Sequence, residues 1–150
     1  MRTVLLIVVL LLPLSLRAQR SGFKWEDSSE WGSRSRYGKL YNAKSVETIT
    51  GEIVKVEEVH PYSGMKAGIH LQLKSSKESI WVHLGPAWYV LNQGMELKVS
   101  DVIKVTGSRA SFANKQVIVA KEIVKGEDHL QLRDDLGTPF WCSKCFPVRK

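Results

Sequence analysis

Cysteine is almost missing from this sequence: of 150 residues only Cys142 and Cys145 carry a thiol. A disulfide scaffold is therefore excluded, and the fold must rest on an ordinary apolar core. A chain of this length buries enough surface in one domain to manage that without a structural metal. Also lacking are a G-x-S-x-G elbow and a glycine-rich phosphate loop ahead of a helix. Those absences remove two of the commonest marks of hydrolase and nucleotide chemistry. The acid pairs Glu57-Glu58, Glu127-Asp128 and Asp134-Asp135 are adjacent in sequence. On a strand such neighbours point to opposite faces, and in turns they are solvated, so paired-carboxylate chemistry is not indicated. No catalytic residue is assigned, and the expectation is a protein that is not an enzyme.

A basic excess is also lacking where it would matter. The net charge is +7, yet residues 46–134 hold eleven basic and eleven acidic side chains, and the surplus lies in the flanks. Phosphate-backbone affinity comes from clustered Lys and Arg, so single-stranded nucleic acid is kept only as a third reading.

The apolar run at the start is too short to span a bilayer, which needs ~20 residues. Arg2, the apolar stretch from Val4 to Leu12, Pro13 and the small residue Ala18 have the layout of a secretory signal peptide over residues 1–18. An uncleaved anchor is the alternative. Cleavage implies an exported protein, periplasmic or extracellular, with no membrane span left afterwards.

Residues 19–45 form an arm rich in Ser, Arg and Gly that carries Phe23, Trp25, Trp31, Tyr37 and Tyr41. Its composition reads as partly disordered, while its aromatics favour packing on the main domain or on a partner. From Val46 the pattern turns to short β-rich runs punctuated by Gly, Ser, Asn and Asp. Five strands are predicted: Glu47–Val59, with a bulge or bend at Gly51, Ile69–Lys74, Ser79–Leu84, Asp101–Ser108 and Gln116–Val124. A short helix in Ala87–Gln93 follows Pro86 and stops at Gly94. Leu130–Arg133 offers a short sixth strand. This order predicts an all-β fold, a five-stranded OB-like Greek-key barrel over 46–134 with one short helix between strands 3 and 4, and a tail over 135–150.

The runs YNAKSVETITGEIVKVEEV, GIHLQL…WVHLGPAWYV, DVIKVTGSR and LRDDLGTPFW together resemble small exported bacterial OB-fold proteins, among them the magnetosome-associated MamS/MamX type. The resemblance covers roughly residues 41–141. It implies the fold and an envelope location, and carries little about activity. Haem-bearing relatives carry CxxCH. Here Phe146 stands where the haem-ligating histidine would be, so no haem is implied.

The turn Ser75–Glu78 sets the register of the second and third strands, placing His70 opposite His83 and Gln72 opposite Trp81. Directly opposed side chains on one face have Cβ atoms about 4.5–5.5 Å apart. His70, Gln72, Trp81 and His83 are thus the candidate ligand-binding residues, with Trp81 as a stacking platform. His60, His70 and His83 form a candidate metal set. The plainer reading leaves the histidines on a solvated face and Trp81 covered by the arm or tail. Cys142 and Cys145 form a C-x-x-C after Trp141, read as a local disulfide, as thiols awaiting a partner, or as a redox or metal pair. No cofactor is implied beyond such a metal ion. The function expected is a non-catalytic binding or adaptor module for an envelope protein or small ligand. The alternative is a metal- or thiol-redox accessory protein.

Overall fold

The structure, a computed structural model, describes residues 29–142. The expected leader, the first part of the arm and Cys145 lie outside the described residues. Half-buried alternation and turn residues produce six strands: β1 Val46–Val59, β2 Gly68–Lys74, β3 Ser79–Pro86, β4 Val102–Phe112, β5 Lys115–Lys125 and β6 Asp128–Gln131. One short helix, α1 Ala87–Val90, follows β3. The sixth strand is thus real, although it begins two residues before the expected Leu130.

The strands form one sheet in the order β3-β2-β1-β4-β5-β6, antiparallel throughout that order. A further parallel pairing joins β3 to β5 through Trp81↔Val117, Val82↔Ile118 and His83↔Val119. The pairings therefore run from β1 to β2, β3, β5, β4 and back to β1. The inward set is the one that alternation selects: Ile69, Leu71, Leu73, Ile80, Val82 and Leu84 are all buried, and Ile103, Val105, Ile118 and Ile123 join them.

Two details differ from the sequence reading. The register shift in β1 lies between Ile53 and Lys55, not at Gly51. Gly51 is needed for close approach instead, because a β-carbon there would sit 2.6 Å from the Lys74 carbonyl oxygen. The β4–β5 hairpin is also longer than expected. Phe112 pairs with Lys115 across Ala113-Asn114, and both turn residues take positive φ, 48° and 61°. That is a two-residue turn of the primed kind, which the twist of a hairpin favours and which Ala-Asn signals poorly.

Residues 29–45, expected as an arm with disorder, are packed. Three 3-10 turns, Ser29–Trp31, Gly38–Leu40 and Ala43–Ser45, lead to β1. β2 and β3 offer glycines where the Trp31 ring of the arm and the Trp141 ring of the tail lie. A β-carbon on Gly68 would lie 2.3 Å from the Trp31 ring, and one on Gly85 would lie 2.6 Å from the Trp141 ring. Trp141 Nε1 donates to the Trp31 carbonyl at 3.0 Å, tying the tail to the arm. Both rings belong to the buried cluster.

Candidate functional site

The β2–β3 register is the expected one, with His70 opposite His83 and Gln72 opposite Trp81. The two imidazoles stack with centroids 3.7 Å apart and planes 7° from parallel. They are not on a solvated face: His70 is 5% exposed and His83 2%. This corrects the plainer reading. Alternation placed them on the outer side of the hairpin, but that side is roofed by the arm. Tyr37 lies over the pair, its hydroxyl 2.8 Å from His83 Nδ1 and 3.4 Å from His70 Nε2. Phe112 meets the His83 ring edge-on at 5.1 Å.

Burial sets the charge of this cluster, because taking an imidazolium out of water is costly. It pushes His70 down to about 4, with Glu57, its cross-strand partner, opposing. His83 goes down to about 2, through burial first and then the neighbouring His70 and Arg133. Both rings are neutral near pH 7, so Tyr37 and His83 share a neutral hydrogen bond. Burial also raises the Tyr37 hydroxyl, with Arg133 opposing, and keeps it protonated.

The three-histidine metal set is not assembled. In stacked, parallel imidazoles the in-plane lone pairs run side by side and cannot converge on one ion. His60 stays at the exposed end of β1, where Nδ1 donates to the Met65 carbonyl at 2.8 Å. Among the described residues no three His, Cys, Asp or Glu side chains group as metal ligands.

Gln72 and Trp81 face each other beside the sealed pair and remain partly exposed. The Lys55 ammonium lies 6.0 Å from the Trp81 ring centroid. Lys55 also pairs with Glu57, and Gln72 Nε2 donates to Ser79 Oγ at 3.3 Å. This strip of Lys55, Gln72 and Trp81 offers an aromatic face, an amide and a cation within one stretch of sheet. That combination suits stacking with hydrogen bonding rather than bond cleavage.

Two arginines that sequence reasoning missed organise the surroundings. Arg133 is buried and has no carboxylate partner among the described residues; one terminal nitrogen donates to the carbonyls of Leu84, at 2.9 Å, and Ala120. Its guanidinium lies 4.7 Å from the Trp141 ring centroid. Burial pushes it down to about 10, with Tyr37 and Tyr41 opposing, which leaves it charged at neutral pH. Arg109 grips Glu47 through Nε at 2.9 Å and NH2 at 2.6 Å, and also holds Glu78 in the β2–β3 turn. These hydrogen bonds raise Arg109 and lower both carboxylates. The only sequence signal for either arginine is its place on a strand or strand end among apolar neighbours. Cys142 is disulfide-bonded, directly after buried Trp141, and Cys145 lies outside the described residues.

The sequence model of the MamS/MamX magnetosome protein family matches residues 45–130. No curated protein matches the chain. The matched span contains His70, Gln72, Trp81 and His83. Tyr37, which roofs the histidines, falls outside it, as do Arg133 and Trp141.

Proposed function

The chain belongs to the MamS/MamX magnetosome protein family, and on that premise we propose that it is a non-catalytic binding or adaptor module of the OB type, acting outside the cytoplasm. Closure of the strand circuit through β3 and β5, with α1 between β3 and β4, supports a closed barrel of that kind. The leader-like start supports export.

The observation that carries the reading is Trp81. It stays partly open to solvent, with Lys55 near its ring, beside a histidine pair sealed by the chain's own aromatics. Partly exposed tryptophans on a rigid sheet are favoured contact points, because a large area is buried on binding at little cost in side-chain entropy. Trp81, Gln72 and Lys55 touch the partner; His70 and His83 lie beneath the arm and fix the shape of the strip. The partner is a protein or small ligand of the exported compartment, and the family description points to a magnetosome-associated one. The charge balance of residues 46–134 leaves nucleic acid the weaker reading.

A photo-crosslinking residue placed at position 81 in the producing cell tests this directly. The expected result is a discrete adduct that is absent when the same residue stands at Lys115. No adduct at position 81, or equal adducts at both positions, overturns the reading.

A further inference from the structure

We propose that the docked arm and the β4–β5 turn together form a cationic surface that takes an acidic segment of a partner protein. This partner chemistry rests on the binding-module reading, but at a surface other than the Trp81 strip.

Charge is unevenly spread along the chain. Residues 46–134 balance eleven cations against eleven acids, and the surplus lies in the flanks. Residues 29–45 hold Arg34, Arg36, Lys39 and Lys44 against one acid, Glu30. Glu30 is directed away to the Lys66 amide, which donates to Oε1 at 3.4 Å. Because this stretch is packed over β2 and β3, its charge is a fixed feature of one face of the barrel. On the barrel itself Lys98 pairs with Glu96, Lys121 with Asp135 and Lys125 with Asp101. Arg34, Arg36, Lys39 and Lys115 are exposed and have no carboxylate partner among the described residues.

These cations are held in place. The Ser35 and Lys39 amides donate to the Gly32 and Ser35 carbonyls at 3.0 and 3.1 Å, and the Gly38 amide donates to Ser35 Oγ at 2.8 Å. Arg34, Arg36 and Lys39 therefore ride on one tight turn, whose middle residue, Tyr37, is anchored on His83. The Arg36 guanidinium lies 4.4 Å from the ring centroid of Tyr62, in the β1–β2 loop. Tyr62 packs on Phe112 with centroids 5.5 Å apart, and Phe112 stands opposite Lys115, so those two share a face. The rings of Tyr37, Tyr62 and Phe112 are engaged with one another and with Arg36. What this surface presents is thus guanidinium and ammonium groups, not an open ring on which a base could stack. A guanidinium resting on a ring keeps its N–H edges free for a bidentate carboxylate pair. Being held in advance, it also loses little freedom on binding. An extended acidic peptide fits that set of groups.

Fluorescence anisotropy with the full chain and a labelled peptide of alternating Glu and Gly tests this. At low salt the peptide is expected to bind, and Arg34→Gln/Arg36→Gln to weaken it about tenfold. Lys115→Gln, which leaves the arm untouched, is expected to weaken it about threefold. Removing two exposed charges elsewhere, in Lys77→Gln/Lys104→Gln, should change it less than about twofold, as should Trp81→Ala. No binding, or equal weakening by the two double variants, overturns the proposal. So does tighter binding of a single-stranded thymidine oligonucleotide or of vesicles containing phosphatidylglycerol. Loss of the peptide in Trp81→Ala alone would place it on the strip and likewise overturn the proposal. A crosslinked adduct at position 81 without peptide binding would leave the Trp81 reading standing and remove only this one.

Discussion

The hydroxyl of Tyr37 and Nδ1 of His83, 46 residues apart in the chain, meet at 2.8 Å beneath the surface. Through that contact the arm becomes part of the sheet's outer face, and two histidines that alternation directs outward are left without access to water. Most of the behaviour expected of this face follows from it.

Removing only the hydroxyl isolates the contact. In Tyr37→Phe the ring still fills its place against Trp31, but His83 Nδ1 loses its close partner in a dry site. A buried polar group left unpaired costs about 1–3 kcal/mol. Urea unfolding is expected to show that loss with an unchanged slope.

Acid should weaken the fold through the same pair. Both histidines have folded-state values below the ordinary 6.5, His70 near 4 and His83 near 2. Between those values and 6.5 the unfolded chain binds more protons than the folded one. Stability is therefore expected to be level above about pH 7, and to fall as pH drops below 6.5. The carboxylates that Arg109 lowers add to the decline further down. A His70→Gln variant separates the two contributions: its stability profile, from melts at each pH, should be flatter between pH 6.5 and 4.

How much of this was legible in the sequence depended on what each signal encodes. The four residues Ser75–Glu78 fix a hairpin register locally, so the pairing of His70 with His83 could be read without a structure. Alternation likewise selected Leu71, Leu73, Ile80 and Val82 as core. It specifies a face, however, not what lies on top of that face. Tyr37, Trp31 and Trp141 come from irregular segments with no period, and their docking is decided by Gly68 and Gly85, whose meaning emerges only once the rings are in place. The turn at Ala113-Asn114 was missed because neither residue is the glycine such a turn prefers.

The glycines give a prediction of their own. Gly68→Ala sets a methyl group 2.3 Å from the Trp31 ring, so the ring must move or the strand must shift. Overpacking of this sort typically costs about 1–3 kcal/mol. A lowered melting temperature should accompany a change in the near-ultraviolet circular dichroism of tryptophan. An unaltered spectrum would mean that Trp31 does not rest on β2.

Arg109 predicts a smaller and salt-sensitive effect. Its side chain is 28% exposed and its two glutamates are similarly open, so water screens the network. Arg109→Met is expected to destabilise by about 0.5–1 kcal/mol at low salt, and by less in 1 M NaCl. Equal losses under both conditions would point to packing of the arginine stem as the cause.

The account rests on a sealed histidine pair beneath Tyr37, and chemical accessibility measures that most directly. Treatment of the folded protein with diethylpyrocarbonate, followed by peptide mass mapping, is predicted to modify the exposed His60 and His129 quickly and to spare His70 and His83. Tyr37→Ala should open both to reagent. Rapid modification of His70 and His83 in the intact protein, at the rate of His60, would contradict the account.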